Sequence, residues 1–137
     1  MASGDRSAAG GARTKKVAHA DLELLDIKVT RDGGSVRYLE GARHGLELSI
    51  FESEIVPGSG PPAHSHPYVE VFVLEAGRGR FLVDDEVIDA EAGDVVIIPS
   101  GSWHSFLSTG EGALRQVAIH DGPRFEETRR DEPAEGA

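Results

Sequence analysis

GSGPPAHSHPYVEVFVLEAG, residues 58–77, followed after fifteen residues by GDVVIIPSGSWH, residues 93–104, is the stretch that decides how this chain folds. Its first half carries His64, His66 and Glu70, and its second half carries His104. Successive side chains on a strand point to opposite faces, so His64 and His66, with only Ser65 between them, project from one face and bring two imidazoles toward one point. Pro67 interrupts the run and lets the chain turn before VEVFVLEA begins, which allows Glu70 to face the same point. His104 lies 34 residues beyond Glu70. It joins the others only if the intervening hairpin folds back as the neighbouring strand of a closed barrel.

Working outward, the same region has a regular rhythm of strands and turns. EVFVLEA and GRFLV meet at Gly77 to Gly79, Asp84 and Asp85 make a tight turn, and EVIDA leads through Ala92 and Gly93 to DVVIIP. Short strands so closely spaced predict antiparallel β structure. Ser108 to Gly112 form a further turn, and ALRQVAIH makes a last strand, on which Gln116 and Ala118 are expected to face inward. Upstream, GLELSIFESEIV, in which Leu46, Leu48 and Ile50 alternate with Glu47, Ser49 and Phe51, reads as a strand ended by Pro57. HADLELLDI fits a strand better than a helix, and Asp32, Gly33 and Gly34 mark a turn between two β segments. No helical periodicity interrupts the central region, and the fold expected is an all-β, antiparallel jelly-roll barrel.

The 137 residues are the size of one domain. Residues 1–16 are small, polar and glycine-rich and read as a disordered tail; 17–125 read as one barrel domain, and 126–137, almost wholly charged, as a second disordered tail. No apolar run is long enough for a signal peptide or a membrane span. The 24 acidic against 14 basic residues leave a net charge of -10, which repels phosphate backbones and excludes nucleic acid as the expected partner. There are no cysteines, so any metal must be held by nitrogen and oxygen, and a cytoplasmic location is the default. The glycines of Gly77-Arg78-Gly79 are no phosphate loop, because no helix follows.

The two motif halves resemble the cupin superfamily, in its small single-domain form. The first cupin pattern, G-x5-H-x-H-x3-E-x6-G, is met by Gly58, His64, His66, Glu70 and Gly77; the second, G-x5-P-x-G-x2-H-x3-N, is met by Gly93, Pro99, Gly101 and His104. Ser108 stands in place of the final asparagine, a turn or packing position in the family. The resemblance covers roughly Gly45 to Asp121 and implies a jelly-roll barrel, one divalent transition metal on the four ligand positions, and a homodimer. Strands such as that of RYLEG, residues 37–41, are candidates to pair across a two-fold axis.

Each histidine has a bland alternative. His19 and His44 are read as packed or surface residues, and so is His120, although it ends the last strand where the barrel mouth is near. For His64, His66, Glu70 and His104 together, burial without a partner is costly, and a bound cation removes the cost. Three imidazoles and a carboxylate suit Mn, Fe, Co, Ni, Cu or Zn. By alternation Phe72 and Phe106 share the inward face with Glu70 and His104, as an apolar wall for a small-molecule substrate or as plain core. The expected function is a metal-dependent oxygenase acting on a small organic substrate, with Glu70 able to serve also as a base. The alternatives are a non-redox isomerase or lyase on a sugar or hydroxy acid, and a non-catalytic ligand-binding module.

Overall fold

Alternation of apolar and polar side chains runs through most of the chain, and it produces eleven strands in the computed structural model, which describes residues 14–25 and 34–130. In chain order they are β1 (Glu23–Leu24), β2 (Gly34–Leu39), β3 (Ser49–Ile55), β4 (His64–Ser65), β5 (Glu70–Ala76), β6 (Arg78–Val83), β7 (Glu86–Glu91), β8 (Val95–Ile98), β9 (His104–Ser108), β10 (Leu114–His120) and β11 (Thr128–Arg129). They form two antiparallel sheets, one ordered β1-β2-β3-β10-β5-β8 and the other β11-β4-β9-β6-β7. No α-helix occurs among the described residues. The all-β jelly roll expected from the sequence is the fold observed.

The two inner faces meet in an apolar core. Phe72, Phe81 and Phe106 form a cluster with ring centroids 5.1 to 5.6 Å apart, in the tilted and edge-to-face arrangements that aromatic quadrupoles favour. Ile55, Leu74, Ile98 and Leu114 complete the core with almost no exposure. Gln116 and Ala118 do face inward, as their alternation with Arg115 and Val117 requires. Two motif glycines have identifiable work. Gly77 turns β5 into β6 at φ +82°, where a Cβ would come within 2.4 Å of the Ala113 carbonyl oxygen. Gly101, also at φ +82°, donates its N–H to the His66 carbonyl at 2.8 Å and so ties the second motif to the first.

Several expectations are revised. HADLELLDI opens with a 3-10 turn at His19–Asp21, and among its described residues only Glu23–Leu24 pair as a strand. The alternation in GLELSIFESEIV yields a strand only from Ser49, and its buried set is Ser49, Phe51 and Ile55, while Leu48 and Ile50 are exposed. Ser49 is inside because its hydroxyl accepts from the Gly41 N–H and donates to the Gly122 carbonyl, so no polar group is stranded. Asp32 and Gly33 of the expected turn lie outside the described residues, as do residues 1–13 of the expected N-terminal tail. RYLEG is covered at Arg37 and Tyr38, which pair with β1 on one side while β2 pairs with β3 on the other.

The largest revision is at the C-terminus. Residues beyond Phe125 read as a solvated tail, yet Thr128 and Arg129 pair with Ser65 and His64 as β11. Phe125 packs its ring 5.2 Å from that of Phe51 and 6.0 Å from those of His66 and His120. This one aromatic anchor, rather than the composition of the charged residues after it, lays the segment over the end of the barrel.

Candidate metal centre

The two sheets bring the histidines together through register. His64 on β4 is paired directly with His104 on β9, and their rings lie 4.3 Å apart. Glu70 opens β5, and the carboxylate reaches His104 Nε2 at 3.0 Å and His66 Nε2 at 3.3 Å, both through Oε1. His64, His66, Glu70 and His104 each offer a ligand atom, and all four atoms lie within 4.8 Å of one another. All four side chains are buried.

The outer nitrogens explain why the inner ones point at the site. His64 Nδ1 lies 2.8 Å from the Pro62 carbonyl, His104 Nδ1 lies 3.0 Å from the Ser102 carbonyl, and His66 Nδ1 lies 2.7 Å from the Glu126 carbonyl. A carbonyl oxygen only accepts, so each Nδ1 carries the hydrogen and donates it. Each Nε2 of a neutral ring is then a bare lone pair aimed at the cluster, the tautomer that metal-binding histidines require. The same locks set two acceptors, Nε2 of His66 and Nε2 of His104, against a third, the Glu70 Oε1 oxygen. Such a contact is repulsive unless a cation or added protons lie between them. Two donors held side by side on one transition-metal ion at about 2.1 Å stand about 3 Å apart, close to the spacings seen here. The residues therefore fit one metal ion, in an all nitrogen-and-oxygen set that does not select among the divalent transition metals.

Burial and neighbouring charge act together on His64 and against each other on Glu70 and His66. Burial, helped by neighbouring His104, pulls His64 down to about 4. Burial also works against the charge on Glu70, but hydrogen bonds from His104, His120 and His66 more than offset it and hold the carboxyl well below its usual range. At His66 burial is outweighed by the Glu70 carboxylate, and the pKa is raised.

A fifth residue belongs here that the sequence reading set aside. His120 ends β10, and the β10–β5 register places it opposite Glu70, with Nε2 at 2.9 Å from Oε2. Its ring stacks on Phe51 at 4.1 Å. Its Nδ1 is 2.7 Å from the Tyr68 hydroxyl, which accepts from the Glu126 N–H at 3.2 Å. Tyr68, pushed up to about 12 mainly by burial, is a donor in this chain. The order is then Tyr68 O–H to His120 Nδ1, and His120 Nε2–H to Glu70 Oε2. Burial lowers the pKa of His120, consistent with a neutral ring. His120 thus holds the Glu70 oxygen other than the one that His66 and His104 contact. Only a pairing between strands 50 residues apart brings the two together, so no local motif signals it. His19 does sit on the surface, on Glu52. The ring of His44 has a buried Nδ1 with no hydrogen-bond partner.

Above these residues is a cavity of about 60 Å³. Its walls are mostly apolar, from Val36, Phe51, Ile55, Phe72, Phe106 and Phe125, with His64, His66, Glu70 and His120 at one end. Phe72 and Phe106 are thus both barrel core and cavity wall. Glu127 and Arg129 line it from the C-terminal segment, joined by a bond of 2.7 Å from Arg129 Nε to Glu127 Oε2. Arg130 beyond them lies over the Trp103 ring at 4.7 Å.

Residues 51–120, just over half of the chain, match the cupin domain family model. The chain is a cupin. An uncharacterized protein of Methanocaldococcus jannaschii is 26% identical to this cupin over 105 residues, covering 74% of the chain and 84% of that protein. A 1-hydroxy-2-naphthoate 1,2-dioxygenase of Nocardioides sp. strain KP7 is 25% identical over 115 residues, covering 80% of this chain and 29% of the enzyme. This cupin thus spans less than a third of that enzyme. Among solved structures, the oxalate decarboxylase of Lactobacillus farciminis in its formate complex superposes with a TM-score of 0.73 at 20% identity, over 86% of this chain and 36% of that one. That likeness is one of fold. No helix among the described residues is long and apolar enough to cross a membrane.

Proposed function

We propose that this cupin is a metal-dependent oxygenase acting on a small organic substrate, with His64, His66, Glu70 and His104 as the ligands of one divalent ion. The observation that carries the reading is the set of three Nδ1–H bonds to backbone carbonyls, which leaves three imidazole lone pairs and one carboxylate converging beside an apolar cavity that His64, His66 and Glu70 help to line. The bound ion supplies a Lewis acid and, where it is redox-active, an electron-transfer centre. Phe72, Phe106 and Phe51 exclude water and hold an apolar body against the site. His120 keeps Glu70 oriented through Oε2, which supports the ligand role for Glu70; its second role, as a base, requires that bond to break.

The cavity walls favour this over sugar or hydroxy-acid chemistry. A polyol needs several hydrogen-bond partners, and beyond the metal-site side chains this cavity offers few polar groups, chiefly Ser53 and the Glu127–Arg129 pair. The relatives named as dioxygenases, among them a gentisate 1,2-dioxygenase of Ralstonia sp. at 28% identity over 96 residues, point the same way. The cavity is small, about 60 Å³, and Glu127 and Arg129 of the C-terminal segment are among the residues that line it.

The test is metal content by plasma mass spectrometry on the chain purified without added metal or chelator, beside a His64→Ala/His104→Ala variant. Near one equivalent in the wild type and none in the variant is expected. Oxygen uptake is then screened on small hydroxylated aromatic acids. A wild type that is empty and takes up no divalent ion on reconstitution refutes the metal site; a loaded protein that consumes no oxygen with any member of the panel removes the support for the oxygenase.

A further inference from the structure

Two charged side chains face a cavity whose walls, apart from the histidines, Glu70 and Ser53, are apolar. β11 pairs with β4 so that Arg129 stands opposite His64, and residues directly opposite on neighbouring strands project from the same face. Arg129 therefore points to the side on which His64 reaches the ligand cluster. Glu127, two residues before it, lines the same cavity, while Thr128 between them is exposed. A shift of one residue in this pairing would put Thr128 over the cavity and turn both charges to water. Charges beside apolar walls cost desolvation, and closing the end of the barrel does not require them there, because Phe125 and the β11 backbone already hold the segment down.

The ion pair uses only part of what Arg129 offers. A guanidinium is a planar fork of N–H donors on Nε, Nη1 and Nη2. Glu127 Oε2 accepts from Nε at 2.7 Å, and no other group among the described residues bonds this side chain. The donors on Nη1 and Nη2 are left over. The Glu127 side chain is 14% exposed and that of Arg129 42%, so the acid lies inside and fixes one edge of an arginine that borders both cavity and solvent. The remaining edge presents two parallel N–H groups, the arrangement that matches a carboxylate. Of all the residues that line the cavity, Arg129 alone carries a fixed positive charge.

We propose that Arg129 binds the carboxylate of the substrate, and that the substrate of this cupin is a small organic acid with an apolar body. The inference rests on the reading above of this cavity as the substrate site beside the metal. The acid's apolar body lies against Phe72 and Phe106, and its carboxylate takes the Nη1 and Nη2 edge. Because Arg129 is the strand neighbour of His64, a carboxylate held there keeps the rest of a small molecule within reach of the ligand cluster. Glu127 is a positioning residue: through Nε it sets the plane of the guanidinium and leaves the other edge to the substrate. A neutral molecule of the same shape has no group that completes this fork.

The test reads binding without turnover. Butyrate and benzoate, each beside its uncharged amide, are titrated calorimetrically into the wild type, Arg129→Met and Arg129→Lys, using the Zn-loaded and the metal-free full chain. Expected in the wild type is a preference of about tenfold or more for at least one acid over its amide, the scale of a charge-assisted pair. Arg129→Met removes that preference by weakening the acid, with amide affinity and zinc content unchanged. Arg129→Lys, a point charge in place of a fork, keeps part of it. No acid preference in the wild type overturns the proposal, and so does a preference that survives Arg129→Met, since it then belongs to the ion or the imidazoles. Where Arg129→Met also shifts the amide, the segment itself has moved and Arg129→Lys decides: an intermediate preference supports the proposal and any other overturns it. A loaded protein that consumes no oxygen removes the oxygenase and leaves these titrations standing, and the metal-free arm reads Arg129 even in a chain that holds no ion, so the two readings fail separately.

Discussion

Replacing His120 with phenylalanine is expected to loosen the metal site without removing a proposed ligand. The ring is buried and stacked on Phe51 at 4.1 Å, so phenylalanine keeps the packing and deletes two hydrogen bonds. One of them, from Nε2 to Glu70 Oε2 at 2.9 Å, goes to a buried carboxylate. Hydrogen bonds to charged groups are worth about 1.5–3 kcal/mol, and about 1.4 kcal/mol is tenfold in affinity, so divalent-ion affinity should fall about 10- to 100-fold, the range in which outer partners of metal ligands act. Tyr68→Phe removes the neutral bond to His120 and the one its hydroxyl accepts from the Glu126 N–H, but it leaves the His120–Glu70 bond in place and should cost less, up to about tenfold. Competition of the metal-free protein against a fluorescent chelator for Zn or Mn gives the affinities. The visible spectrum of the Co-loaded protein reports whether Glu70 has rotated, a change that loss of stability alone does not produce. An affinity for His120→Phe within about twofold of wild type, with an unchanged Co spectrum, would refute the idea that His120 positions Glu70.

Three further outcomes follow from the same geometry. Gln116 is fully buried with both amide atoms unpartnered among the described residues, so Gln116→Met, similar in volume, should stabilise the barrel by about 1 kcal/mol in urea melts; a loss of stability would mean that the amide has a partner such as a buried water. Phe125→Ala should cost about 2 kcal/mol and also lower metal affinity, because Phe125 anchors the segment whose Glu126 carbonyl holds the His66 tautomer. Unchanged metal binding alongside the lost stability would separate the two roles. The buried His64, at about 4 against about 6.5 in an unfolded chain, binds protons less readily when folded. Its contribution makes the metal-free protein less stable as pH falls from about 6.5 toward 4 and leaves it level above. Paired melts of wild type and His64→Ala across that window isolate this residue from His66, whose raised pKa acts in the opposite sense.

What the sequence by itself determined is local. The His64-Ser65-His66 spacing, the turn at Pro67 and the strand run from Glu70 are set by the period of a β-strand and by residues that break it, and they give the jelly roll and the candidate ligand quartet together. Phe72 and Phe106 were legible for the same reason, since alternation from Glu70 and His104 gives their direction. Only the tertiary structure decided what depends on pairing between distant strands. His120 meets Glu70 because β10 lies in one particular register against β5. Ser49 and Phe51 face inward in place of Leu48 and Ile50, and the serine can do so because its partners, Gly41 and Gly122, come from elsewhere in the chain. The charged C-terminal residues follow a strand over the cavity because Phe125 finds Phe51 and His66 beneath it. Composition describes a segment alone in water; its contacts with the rest of the chain determine whether ordering it lowers the free energy.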